Sequence, residues 1–128
     1  MKKMKSVMLV FDDQKELEFI NMNLSESGFQ IYIAENLKNA VKAAEKFIPD
    51  LIVINTLDNE FDLNLFSEQV QTERLKNVSV LSLIAMEDYF TTSNKRYFIV
   101  KPVRPKLLLS LIRGVMNGEE VNWMPSLR

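Results

Sequence analysis

Four places in the sequence carry side chains that could do chemistry together: Asp12 and Asp13 after "VMLVF", Asn55 closing "LIVIN", Ile84 closing "VLSLI", and Lys101 before Pro102 after "YFIV". Adjacent carboxylates can hold a hard cation through charged oxygens, or serve as the N-cap and first-turn acid of a helix; the sequence leaves both roles open. A lysine among strand ends needs an anion, and the two aspartates are its expected partners. Asn55 limits what the group can do. Its amide oxygen is neutral and its nitrogen lone pair is delocalised, so it cannot attack as a carboxylate would. Ile84 offers no hydrogen-bond donor. With no His and no Cys in 128 residues, imidazole proton shuttling, thiolate chemistry, disulfides and zinc sites built on those residues are excluded.

For these side chains to meet, the chain must bring the ends of several segments together, and its pattern does so. The runs "VMLVF", "IYIA", "LIVI", "VLSLI" and "YFIV" are short, branched or aromatic, and lack polar alternation, as strands buried on both faces require. Helical patterns separate them. Leu17, Ile20 and Leu24 share one face of a first helix stopped by Gly28. A second starts at the N-cap Asn36, places Leu37, Ala40, Val41, Ala44 and Phe47 toward the core, and ends before Pro49. Asp62 opens a helix carrying Leu63, Phe66 and Val70; Pro105 opens a last one through Leu108, Leu111, Ile112 and Val115, ended by Gly118. Alternating strands and helices imply right-handed parallel crossovers and an α/β sheet covered on both sides. In such a sheet ligands gather beyond the carboxyl ends of the strands, where Asp12, Asp13, Asn55, Ile84 and Lys101 fall.

The fourth crossover is short. "AMEDYFTTSNKR" holds Thr91, Thr92, Ser93 and Asn94, which favour turns and caps over helix interiors. Residues 1–118 read as one domain and 119–128 as a tail that frays unless Trp123 anchors it. Sixteen basic and 17 acidic residues give a net charge of -1, so no overall field draws the chain to nucleic acid or an anionic membrane. The apolar run from Val7 to Phe11 is too short for a signal h-region, and no segment is long enough to span a bilayer, so a cytoplasmic protein is expected.

The paired acids after the first strand, the residues closing the third and fourth, and the Lys-Pro after the fifth resemble the response-regulator receiver domain of two-component signalling. The resemblance runs from Lys5 to about Asn117 through "VMLVFDD", "SGFQIYIAEN", "AVKAAEKFIPDLIVIN" and "YFIVKP". It implies a doubly wound, flavodoxin-like sheet of five parallel strands, and often a cis peptide at the Lys-Pro. In that family the position of Asn55 is an aspartate that accepts phosphoryl from a histidine kinase and helps hold magnesium. The position of Ile84 is a Ser or Thr that bonds the phosphoryl oxygen, and that of Phe98 is an aromatic that follows this movement.

By this resemblance the chain departs from the family at both catalytic and switch positions, as a pseudo-receiver would. Asn55 cannot form the acyl phosphate, and Asp12 and Asp13, with the Leu57 carbonyl, hold magnesium weakly if at all. Removing one of three crowded carboxylates relieves like-charge repulsion and supplies two donors to the remaining pair. No cofactor and no enzymatic activity are expected; the function read from the sequence is a phosphorylation-independent signalling module acting through a protein partner. The alternative is a magnesium-dependent phosphoacceptor using a non-standard carboxylate, Asp58 or Asp12. Asp50 lies at the wrong end of its strand for this. Nucleotide or flavin binding is disfavoured because "FDDQKE" has no glycine and two charges where a phosphate would sit. Tyr89 and Phe90 either plug the gap left by the short crossover or contact a partner, while Leu109, off the core stripe of its helix, and Trp123 are further interface candidates. The shortened segment is expected to alter the family's usual dimer face, built from its fourth helix, fifth strand and fifth helix.

Overall fold

In the computed structural model, which describes residues 5–56, 68, 72, 74–86 and 97–125, β1 (Ser6–Phe11) is buried at every position. That fits a central parallel strand, since both of its faces must be covered. Its side chains divide by parity. Val7, Leu9 and Phe11 join Leu51 and Val53 in a core shared with Ile20 and Leu24 of α1 (Gln14–Glu26) and with Leu108 and Ile112 of α3 (Pro105–Met116). Met8 and Val10 join Ile52 and Ile54 in a second core beneath Leu37, Ala40 and Ala44 of α2 (Leu37–Phe47).

The remaining strands are β2 (Gln30–Ala34), β3 (Leu51–Asn55), β4 (Ser79–Ile84), β5 (Phe98–Val100) and β6 (Asn122–Trp123). All pair in parallel, in the order β2-β1-β3-β4-β5-β6. The five strands read from the sequence are present in the flavodoxin-like order. The sixth is new. Residues 122–123, assigned above to a tail, pair with β5, and Trp123 packs against the first core, which is the anchoring on which order in this segment depended.

Local chemistry sets the helix ends. Asp13 Oδ1 accepts from Glu16 N at 3.0 Å and Asn36 Oδ1 from Asn39 N at 2.8 Å, each satisfying an orphan amide of the first turn. Gly28, at φ 91°, carries the chain out of α1, and Ile48, at φ 47°, turns it out of α2 before Pro49. Pro105 stands in the first turn of α3, where its missing N–H costs nothing.

Two apolar positions differ from their expected burial. Phe47 is 44% exposed rather than in the core: it lies at the last turn of α2 and stacks on Tyr32 of the edge strand β2, with ring centroids 4.5 Å apart, where no further strand among the described residues covers it. Leu109 is buried at 7% exposure, so it belongs to the core and not to an interface. The cause is that α3 packs on α1 as well as on the sheet, and a helix with two neighbours buries a broader stripe than one facing a sheet alone. The helix read from Asp62 through Val70, apart from Glu68, which is helical and exposed, the Leu57 carbonyl, Asp58, and Tyr89 with Phe90 lie outside the described residues.

Candidate functional site

The carboxyl ends of β1 and β3 are held level by the register Phe11 to Asn55 and by Asp12 N donating to Asn55 O at 3.1 Å. Those of β4 and β5 are joined by Lys101 N donating to Ile84 O at 2.8 Å. Between them opens a cavity of about 330 Å³ lined by Asp12, Asp13, Glu16, Asn55, Thr56, Lys101, Pro102 and Val103. The sheet therefore brings together Asp12, Asp13, Asn55 and Lys101. The Lys101-Pro102 peptide is cis. Asp50 is at the other end of β3, where its Oδ2 accepts from Ser6 N at 2.8 Å.

Inside the cavity the hydrogen bonds run differently from the sequence expectation. The Asn55 carboxamide donates through Nδ2 to Glu16 Oε1, not to the aspartate pair. Asp12 Oδ1 accepts from Thr56 Oγ1 at 2.7 Å, and Asp13 caps α1. Glu16 and Thr56 are the residues that sequence reasoning missed. A signal existed for Glu16: it stands three residues after the N-cap, in the first turn, a spacing at which an acid lies close to the strand end it follows. Burial, and then the charge of Asp13, raise the Glu16 carboxyl above its ordinary value, against the lowering by the Asn55 hydrogen bond and the Lys101 charge. Glu16 is thus the carboxylate on which both the amide and the lysine act.

Ile84 brings no polar group to the site. Ile84 is 3% exposed and packs with Phe98 and Val100, with Met86 at their edge. It does not line the cavity. A hydroxyl at this position would enter an apolar cluster.

Magnesium fits the described residues poorly. A hard cation takes several charged oxygens in near-octahedral array. Here the amide turns its NH₂ toward Glu16, and the Asp12 and Asp13 oxygens already accept from Thr56 and the helix backbone. Among the described residues no group of three or more acidic side chains is arranged to hold a metal.

The fold is shared with solved structures of known proteins. The receiver domain of a signal transduction histidine kinase from Syntrophus aciditrophicus superposes with TM-score 0.74 at 23% identity, over 89% of this chain and 91% of that one. The fold is that of a receiver domain. A response regulator from Desulfuromonas acetoxidans shares 25% identity with TM-score 0.68, over 88% of this chain and 97% of its own. The receiver domain of a Pseudomonas aeruginosa sensor histidine kinase, which has magnesium in its active-site cleft, gives 0.70 at 19% identity over 87% and 97%. Among curated proteins, the alkaline phosphatase synthesis transcriptional regulatory protein PhoP of Bacillus subtilis is 23% identical over 122 residues. That match takes in 91% of this chain and 50% of PhoP, so the chain spans about half the length of this relative. No protein-family model matches the chain. No helix among the described residues is long and apolar enough to cross a membrane.

Proposed function

We propose that the chain is a pseudo-receiver: a signalling module of two-component type that works by binding a protein partner, without aspartyl phosphorylation and without enzymatic turnover. The observation that carries this reading is the Asn55–Glu16 hydrogen bond. At the position where the receiver fold presents a phosphoacceptor, a neutral amide is spent as a donor to a neighbouring carboxylate, and neither atom is free to attack phosphorus. The apolar Ile84–Phe98 cluster supports the same reading, because a phosphoryl oxygen would find no donor there. On this proposal the protein is cytoplasmic, contacts no nucleic acid itself, and needs no cofactor.

Incubation with magnesium and a small phosphodonor, followed by intact-mass measurement, tests the proposal. The unmodified mass is expected throughout. A hydroxylamine-labile phosphate adduct would support the second reading, a phosphoacceptor using another carboxylate. One observation favours that reading: Glu16 is a carboxylate inside the cavity with Lys101. Against it, Glu16 Oε1 already accepts the Asn55 amide. Peptide mapping of any adduct to Glu16, Asp12 or Asp58 would identify the acceptor.

A further inference from the structure

The segment after α3 does something that the strand-end site does not call for. At Gly118, with φ 89°, the chain reverses, and Glu119 N donates to Gly114 O at 3.0 Å. Val121 then enters the first core at 6% exposure, and its carbonyl accepts from Phe98 N at 3.0 Å. Asn122 and Trp123 continue in register with Phe98 and Ile99. The fit is close: a Cβ on Gly114 would stand 3.2 Å from Glu119 Oε2 and 3.7 Å from Val121 Cγ2. The β5 edge is therefore shaped for an extended segment that presents an aliphatic residue to the core, a polar residue outward and an aromatic residue over the core again.

The hold on that edge is slight. β6 has two paired residues, against six in β1, and Glu119, Glu120, Asn122 and Met124 around it are exposed. It hangs from α3 by the few residues between Met116 and Val121. Release of β6 would leave the amide of Phe98 and the apolar run Phe98–Val100 at an open edge, and an open apolar edge pairs with whatever complementary strand is present. The complementary strand that every copy carries is Val121–Trp123 itself.

We propose that the β5 edge is a strand-docking surface for residues 119–125 of a second copy of this chain, a place that β6 of the same chain holds in the isolated molecule. Exchange of this element between two copies recreates the same contacts with no new surface, which is how domain swapping produces dimers. The short connection gives the cis strand an effective concentration in the millimolar range, so at micromolar protein it stays at home.

Trp123 is the single tryptophan of the chain, so the test has its own reporter. In the full chain carrying Val121→Asp and Trp123→Ala, the edge is vacated and the intrinsic tryptophan signal is gone. Titration with a peptide of residues 119–125 should then give a blue-shifted, saturating rise in peptide tryptophan emission, with no such change for the wild-type chain at micromolar peptide. A folded variant that binds no peptide overturns the proposal. If circular dichroism shows the double variant unfolded, a chain with a shortened hinge carries the test. Deleting Gly118 and Glu119 shortens the hinge so that β6 cannot return in cis: a dimer with buried Trp123 in sedimentation and fluorescence is expected, and a monomer with solvent-exposed Trp123 contradicts exchange.

Discussion

The two halves of the strand-end site differ in kind. At the ends of β1 and β3 the side chains remain polar: Asp12, Asp13, Glu16, Asn55 and Thr56 surround a cavity and hydrogen-bond within it. At the ends of β4 and β5, Ile84, Phe98 and Val100 lie in one apolar cluster, and Lys101 just beyond it is the residue that reaches the cavity. In the polar half an amide and a carboxylate are nearly isosteric, so Asn55 could be exchanged for Asp with the pocket keeping its shape. In the apolar half Ile84 gains stability from staying buried where it is.

The comparison breaks most sharply at Ile84. Ile84→Thr replaces the ethyl group with an unpaired hydroxyl in the apolar cluster, which should cost roughly 2–4 kcal/mol in urea unfolding; a neutral result would mean that this half accepts polar groups. Next comes Asn55→Asp. It sets a carboxylate against Glu16, and with the position half exposed the repulsion should lie near the low end of about 1–4 kcal/mol. That corresponds to a melting temperature lower by several degrees in the absence of magnesium, and an unchanged or raised value would show that the amide does not quiet the pocket.

A smaller effect has a definite sign with pH. The Glu16 carboxyl titrates higher in the folded chain than its ordinary 4.5, so between these two values the folded state binds more protons than the unfolded state. Stability from this group is complete below the unfolded value and is lost as pH rises through the folded one. Glu16→Gln keeps an oxygen acceptor for Asn55 and removes the titration. It should be more stable than wild type at neutral pH, with the difference shrinking to nothing as pH falls below about 4.5; a constant difference would place the effect elsewhere. Smallest is Thr56→Val, which removes the 2.7 Å bond to Asp12 at an exposed rim and should cost under about 1 kcal/mol in the same unfolding measurement.

Much of the scaffold was legible because its signals are long or redundant. The buried strands β1 and β3 are uninterrupted apolar runs, and Asn36, Gly28 and Pro105 mark helix ends by chemistry that does not depend on the rest of the fold. Asp12, Asp13, Asn55 and Lys101 could be placed together because parallel strands end on one side of a sheet. What escaped was set by tertiary neighbours. Two residues of β6 carry no periodicity and become a strand only by finding the β5 edge. Leu109 is buried by α1, and Phe47 is exposed because β2 is the last strand on its side; neither neighbour is encoded in the helix pattern. The direction of the Asn55 amide followed from Glu16, three residues beyond the acids that drew attention first.

The most direct measurement is the mass of the intact wild-type chain after exposure to a small phosphodonor and magnesium, alongside the Asn55→Asp variant. A neutral amide at the acceptor position predicts an unchanged mass for the wild type under conditions in which the variant can be labelled. A phosphorylated wild-type chain, with label mapped to a pocket carboxylate, would contradict the pseudo-receiver reading at its root.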